Sequence, residues 1–328
     1  MITQSSAVPT GVWDARNANI LREFARLVGA HRVHRNWALA RFTTFRVGGQ
    51  ADWFIEVRGD SEFAAVLATA FRVGLNVTVL GGGSNVLVSD AGVRGLVVRP
   101  RHGAITRTTA GNVRASAGVT FNGLIRWMIR RGLGGLETWA GTPGTVGGAI
   151  HGNAHFRGRS ISEVVSSVGV VAADGHITVA EAGEMGFGYD RSRLKATSEV
   201  VQWAEFVVTE EDADRLRSTA RESLDYRKRT QPLQEPSAGC VFQNPLAAED
   251  RLPSGMSCSA GALIEGAGLK GISHGSAWVS KVHGNFFVTE PGALARDVRA
   301  LIELCQAEVA SQYDVSLVPE IIFIGEFD

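Results

Sequence analysis

The chain has 328 residues, more than one ordinary core accommodates, so two or three domains are expected. Hydrophobic residues make up 45% and charged residues 20%, and 33 Lys+Arg balance 33 Asp+Glu, which excludes a disordered chain and argues against a nucleic-acid partner. Met1-Ile2-Thr3-Gln4-Ser5 lacks a charged-then-apolar leader, no apolar run approaches the roughly 20 residues of a membrane span, and Cys240, Cys258 and Cys305 show no CxxC spacing, so a cytoplasmic protein without membrane insertion is expected.

Ile20, Leu21, Phe24, Leu27 and Val28 recur near the helical period and predict a leading helix. An αβ unit follows: a strand over 51–57, a helix over 61–73 with Ser61 as its N-cap, and strands over 76–80 and 96–98. A second unit, over 101–210, holds a strand at 113–117, a helix at 121–131 and a hairpin turned at Asp174-Gly175. A helix over 211–230 leads through Pro232 and Pro236 into a third unit, which ends in a helix over 291–313 and a strand over 320–324. Domain boundaries are therefore expected as 1–100, 101–210 and 211–328, in an α+β architecture.

Thirty-nine residues are glycine, well above the usual level of about 7%. They cluster rather than repeat, which marks places where backbone approaches backbone or a ligand closely. Gly81, Gly82, Gly83, Ser84 and Asn85 directly follow the strand at 76–80. Backbone without Cβ atoms can turn its N–H groups inward as an anion nest, and Ser84 and Asn85 add side-chain donors. A tight turn explains this segment equally well when it is taken alone. A Rossmann fingerprint would need glycine where Val86 stands, and no Gly-Lys-Ser/Thr of a P-loop occurs. A second segment, Gly141-Thr142-Pro143-Gly144-Thr145-Val146-Gly147-Gly148, would be costly inside a plain helix or strand. Two such segments point to one long ligand bearing phosphates and a flat ring.

These segments, together with 42–49, resemble the flavin-binding segments of UDP-N-acetylenolpyruvoylglucosamine reductases, within the wider vanillyl-alcohol-oxidase or PCMH-type FAD fold. The C-terminal third continues the resemblance through Ser237-Ala238-Gly239-Cys240-Val241-Phe242-Gln243-Asn244-Pro245, Gly261-Ala262-Leu263-Ile264-Glu265, His283-Gly284-Asn285-Phe286 and Val318-Pro319-Glu320. It spans roughly residues 40 to 326 in order, and no single piece would suffice. The resemblance implies a two-part FAD-binding module followed by a C-terminal α/β substrate-binding domain. It also implies NADPH as hydride donor, a UDP-sugar substrate, and no obligate protein partner. The reaction implied is reduction of an enolpyruvyl double bond, with protonation of the neighbouring carbon, in peptidoglycan precursor synthesis.

The site residues implied follow from the matched segments. Arg46, Val47, Gly81, Gly82, Gly83, Ser84, Asn85, Thr142, Pro143, Gly144, Thr145, Gly147 and Gly148 fall to FAD. The first loop offers no histidine for a tether, so the FAD is expected to be non-covalent; His151 and His155 follow the second loop. Cys240 stands where most members carry a protonating serine, and a thiol with an ordinary pKa of about 8.5 is a competent acid at neutral pH. Glu320 is expected to polarise the substrate as a protonated acid. The family pattern Tyr-Arg-x-Ser is broken here, because Tyr189 is followed by Asp190 and only then by Arg191. Arg191 is assigned as the stabilising cation, although one residue of offset swings a side chain to another face. Tyr189, Gln243, Asn244 and Lys281 are assigned to substrate, and no metal site is expected. Two alternatives remain open: an FAD-dependent oxidase or dehydrogenase of the same fold acting on another substrate, and a non-catalytic flavin- or UDP-sugar-binding paralogue.

Overall fold

The computed structural model describes residues 10–101, 103–245 and 257–327. The Met1–Ser5 segment lies outside them. No helix among the described residues is long and apolar enough to cross a membrane.

The chain opens with helix α1 (Thr10–Val28), which buries Ile20, Phe24 and Val28, four residues apart, against a four-stranded sheet. That sheet has the order Val33–Ala38, Gln50–Arg58, Val93–Arg101, Val77–Val79. Its first pair is antiparallel and the other two pairs are parallel. Helix α2 (Asp60–Arg72) makes the crossover between Gln50–Arg58 and Val77–Val79, and it buries Phe63, Val66, Leu67 and Ala70 on the sheet. Full burial of a side chain such as Phe63 contributes about 1.5–3 kcal/mol. The N-cap is Gly59, not Ser61, and no side chain caps the helix. Gly59 at φ 91 lets the chain break sharply from the strand, and Asp60 and Glu62 supply the negative charge that suits a helix start.

A second sheet of five antiparallel strands has the order Ile177–Glu181, Val165–Val171, Val200–Phe206, Val113–Ser116, Ile105–Arg107. The first two strands form the hairpin turned at Asp174 and Gly175. Gly175 takes φ 87 there, as a tight turn requires. Helices α3 (Phe121–Ile129) and α4 (Val146–His151) pack on this sheet through Phe121, Leu124, Met128, Val146 and Ile150, around the fully buried Trp139. Helix α5 (Ala213–Thr230) is capped by Asp212 and joins the same core through Leu216 and Ala220. The helix placed at the head of the third unit thus packs backward, onto the middle of the chain.

The C-terminal core gathers α6 (Ala260–Gly266), α7 (Ala295–Tyr313) and the strands Ser273–His274, Ala277–Val279 and Phe287–Thr289. Phe45, Val47 and Leu87 from the first part of the chain are buried in this same core. The last strand, Ile322–Ile324, pairs in parallel with Val86–Val88, immediately after the first glycine loop. The last strand is therefore stitched to the loop that carries the candidate site.

Candidate active site

The first glycine loop is held from both sides. Thr44 donates its backbone N–H and its hydroxyl to the carbonyl of Gly83, at 2.9 and 3.2 Å. A Cβ on Gly83, which sits at φ 64, would lie 2.0 Å from the Phe42 carbonyl oxygen. On the other side the two glycine segments meet each other. A Cβ on Gly82 would stand 2.6 Å from the Gly144 Cα, one on Gly81 would stand 2.6 Å from Thr145 Oγ1, and one on Gly144 would stand 2.9 Å from Ser84 Oγ. Glycine is demanded by close backbone approach at 82 and 83 and by the φ of 105 at 144, while at 81 the crowding atom is the Thr145 side chain.

The backbone N–H groups of Gly81, Gly82, Gly83, Ser84 and Asn85 donate to no acceptor among the described residues. Five successive amides without a protein partner form a cradle of partial positive charge, and unpaired N–H groups of this kind suit an anionic acceptor. A diphosphate supplies such acceptors, so the residues present fit FAD. Thr145 is committed differently: its hydroxyl accepts from the Gly148 N–H at 3.3 Å and caps α4. Pro143 and Gly148 are exposed beside it, Gly147 packs against Ala117, and Arg46 is exposed in a left-handed conformation at φ 57 while Val47 is buried.

The second loop leads to a buried arginine. Arg227, on α5, donates to Thr142 Oγ1 at 2.7 Å, and its guanidinium lies 3.8 Å over the Phe156 ring. Burial pulls its pKa down to about 10, and the neighbouring Cys240 acts in the opposite sense. It therefore stays charged at neutral pH. Its Nε has no partner among the described residues.

Cys240 and Glu320, distant in sequence, are brought together by short bridges. Cys240 pairs with Phe286 and Phe242 with Pro319, while the Glu320 N–H donates to the Val241 carbonyl at 2.8 Å. Asn285 locks this arrangement: its side chain accepts from the Phe242 N–H at 2.9 Å and donates to the Phe242 carbonyl at 2.8 Å. Asn85 of the first glycine loop donates its side-chain amide to the Glu320 carbonyl at 3.3 Å, and the Ile322 N–H returns a bond to the Asn85 carbonyl at 3.0 Å.

Both acids are protonated at neutral pH. Burial, and then the proximity of Glu320, pushes the Cys240 thiol up to about 12, against the opposing pull of Arg227. Burial, and then Asp190, raises the Glu320 carboxyl to about 8, against the pull of Lys195. Each is thus a proton donor, the Cys240 thiol a weak one.

The Tyr189 region differs from expectation. Gly188 and Arg191 exchange backbone hydrogen bonds at 3.0 and 3.2 Å, closing a tight turn over Tyr189 and Asp190. Asp190 takes a left-handed φ of 46 and is only 4% exposed. Its carboxylate accepts from Gln243 Nε2 at 2.8 Å and pairs with Lys195 Nζ at 2.8 Å. Arg191 is exposed, its Cβ and Nε lie near Gly188, and its side chain makes no hydrogen bond or ion pair among the described residues. Arg191, assigned as the site's cation, thus stands exposed, and in this turn it is Asp190 that is buried.

Of the residues assigned to substrate, three gather here. The Tyr189 hydroxyl accepts from the Asn244 N–H at 3.2 Å, Asn244 Oδ1 accepts from Ala260 at the start of α6, and Gln243 meets Asp190. Lys281 does not join them: it is exposed and lines a separate hollow of about 360 Å³ with Glu235, Trp278 and Glu290. His155 packs against Tyr189 with ring centroids 4.6 Å apart, and burial lowers the pKa of both His151 and His155, leaving them neutral. Among the described residues no His, Cys, Asp or Glu group could hold a metal ion. Lys195 and Arg227 were given no role from the sequence. The signal for Lys195 was an acid five residues earlier at a position where a cation was expected; Arg227 carried no signal apart from its basic neighbours.

Known proteins share this arrangement of segments. The model of the UDP-N-acetylenolpyruvoylglucosamine reductase C-terminal domain matches residues 231–324, and that of an FAD binding domain matches residues 51–181. A UDP-N-acetylenolpyruvoylglucosamine reductase of Symbiobacterium thermophilum is 41% identical over 312 residues, covering 94% of this chain and 96% of the relative. One from Trichormus variabilis is 36% identical, covering 99% and 97%. The crystal structure of the corresponding reductase from Thermus caldophilus superposes with a TM-score of 0.74 at 33% identity, covering 90% of this chain and 99% of that one. The chain belongs to the UDP-N-acetylenolpyruvoylglucosamine reductase family and is an FAD-dependent oxidoreductase of α+β fold.

Proposed function

We propose that the chain reduces the enolpyruvyl group of UDP-N-acetylglucosamine enolpyruvate to UDP-N-acetylmuramate, with NADPH as donor and a non-covalent FAD. The reading rests above all on Cys240 and Glu320, two protonated acids joined by the Glu320–Val241 hydrogen bond beside Asn85 of the glycine cradle. FAD, when bound, supplies hydride transfer from NADPH to the enolpyruvyl double bond.

In this reading Gly81, Gly82, Gly83, Ser84 and Asn85 hold the diphosphate, with Thr142, Gly144 and Thr145 opposite. Residues 1–100 and 101–210 form the two FAD-binding parts and 211–328 the substrate domain, with α5 carrying Arg227 back to the second loop. Hydride addition to one carbon of the double bond leaves an electron pair on its neighbour, delocalised into the attached carboxylate. Glu320 donates a hydrogen bond to that developing charge, and Cys240 transfers its thiol proton to the carbon that carries the pair. The proton lost by Cys240 is regained from solvent. Tyr189, Gln243 and Asn244 orient the substrate, and Lys281 meets its diphosphate from outside this cluster.

The test is direct. The purified protein carries flavin that denaturation releases, and its NADPH oxidation depends on added UDP-N-acetylglucosamine enolpyruvate. Flavin that NADPH reduces but that substrate never reoxidises would overturn the reading and favour another oxidoreductase of the same fold.

A further inference from the structure

Reduction beside a carboxylate concentrates negative charge, and a site that stabilises it needs a fixed cation. Two cations lie within electrostatic reach of the acids, Arg227 near Cys240 and Lys195 near Glu320. Arg227 is already engaged with Thr142 and Gln231 and stacked on Phe156. Lys195 pairs with Asp190 alone among the described residues and has three ammonium hydrogens.

We propose that Lys195, positioned by the buried Asp190, is the cation that meets the substrate carboxylate beside Glu320 and Cys240. The assignment rests on the reductase reading and names a residue within it. Asp190 is built for positioning. It is buried, held in a left-handed turn, and fixed by Gln243 on the same oxygen that takes Lys195. The turn itself is anchored to the segment after the second glycine loop. Asn153 donates to the Gly188 carbonyl at 2.8 Å, and Ser192 donates to the His151 carbonyl at 2.6 Å. A lysine is a flexible point charge, and a buried carboxylate limits its freedom before substrate arrives.

The same pair sets the state of Glu320. The charged and titratable groups that interact with Glu320 are Asp190, Lys195, Tyr189 and Cys240, and His151 and His155 interact in turn with Asp190 and Lys195. Asp190 favours the protonated acid at Glu320, while Lys195 offers positive charge to the substrate. Together they supply a neutral hydrogen-bond donor and a cation side by side.

The experiment uses the flavin-loaded enzyme. The flavin is first reduced with NADPH, and its reoxidation by UDP-N-acetylglucosamine enolpyruvate is followed at several pH values. Lys195→Met is expected to slow reoxidation by about 10²–10³-fold, with flavin content and reduction by NADPH retained. Lys195→Arg, which keeps the charge, stays within about tenfold of the parent by the same argument. Asp190→Asn raises KM and moves the basic limb of the reoxidation profile to lower pH, a change that loss of a merely structural contact would not produce. Equal losses in Lys195→Met and Lys195→Arg, or normal reoxidation in Lys195→Met, overturn the assignment. Failure of the unmodified enzyme to reoxidise with this substrate overturns the reductase reading instead.

Discussion

The side-chain amide of Asn85 donates to the backbone carbonyl of Glu320 at 3.3 Å, so the end of the first glycine loop holds the main chain of the residue that carries the site's carboxylic acid. Cofactor cradle and proton donor are therefore mechanically joined. The parallel pairing of Val86–Val88 with Ile322–Ile324 extends this junction away from the site. Disturbing one side is expected to be felt on the other.

Gly82→Ala tests the contact between the two glycine loops. Its Cβ would stand 2.6 Å from Gly144 Cα, where only backbone can give way. Overpacking of this kind costs about 1–3 kcal/mol. We expect FAD affinity to fall by at least about tenfold, since that factor corresponds to roughly 1.4 kcal/mol. Flavin retained per protein through purification and dialysis measures it, and unchanged retention would remove the loop contact from cofactor binding.

Cys240→Ala separates the two half-reactions. Flavin reduction by NADPH should persist, while product formation drops by about 10²–10⁴-fold, as loss of a general acid does. Cys240→Ser keeps a donor and should recover most of the loss. Near-normal turnover in the alanine variant would take Cys240 out of the mechanism.

The Glu320 carboxyl is raised from 4.5 to about 8, so a step that needs its protonated form weakens as pH rises through about 8. Glu320→Gln, which cannot ionise, should flatten that basic limb at reduced rate. The same shift has a sign for stability. The folded protein holds this proton between pH 4.5 and about 8 while the unfolded chain has lost it, so the contribution is full below 4.5 and is lost as pH rises toward about 8. Denaturant midpoints across that window, compared between the parent and Glu320→Gln, report the difference. Parallel pH profiles for the two would count against a protonated Glu320.

Asp90 tests the long-range architecture. Its carboxylate accepts from the backbone N–H groups of Ala295 at 2.8 Å and Arg296 at 3.0 Å, at the start of α7. Two orphan donors of that helix are thereby satisfied by a residue about 205 positions earlier in the chain. Asp90→Ala should lower stability by about 0.5–2 kcal/mol, the usual cost of losing a cap. A thermal midpoint that does not move would mean that water replaces the carboxylate at no net cost.

Local signals in the sequence were strong wherever short-range sterics decide. The periodic apolar faces of α1 and α2 and the turn at Asp174 and Gly175 follow from conformational preferences that neighbouring residues set, whereas the glycines at 81–83 and 144 answer to contacts between the distant loops. The ordered C-terminal motifs carried the family, and with it the pairing of Cys240 with Glu320. Other features depended on contacts between distant segments. No local pattern says that α5 packs backward through Leu216 and Ala220, that Phe45 and Leu87 belong to the C-terminal core, or that Lys281 lies in a separate hollow.

The turn at 188–191 shows the division most clearly. That an aspartate stands before the arginine is read directly from the residue order. Which of them faces the acids depends on the left-handed φ at Asp190 and on Asn153, Gln243 and Lys195 closing around it. A one-residue step in a tight turn reverses a side chain, and the energy that selects the direction comes from partners the linear sequence does not place nearby.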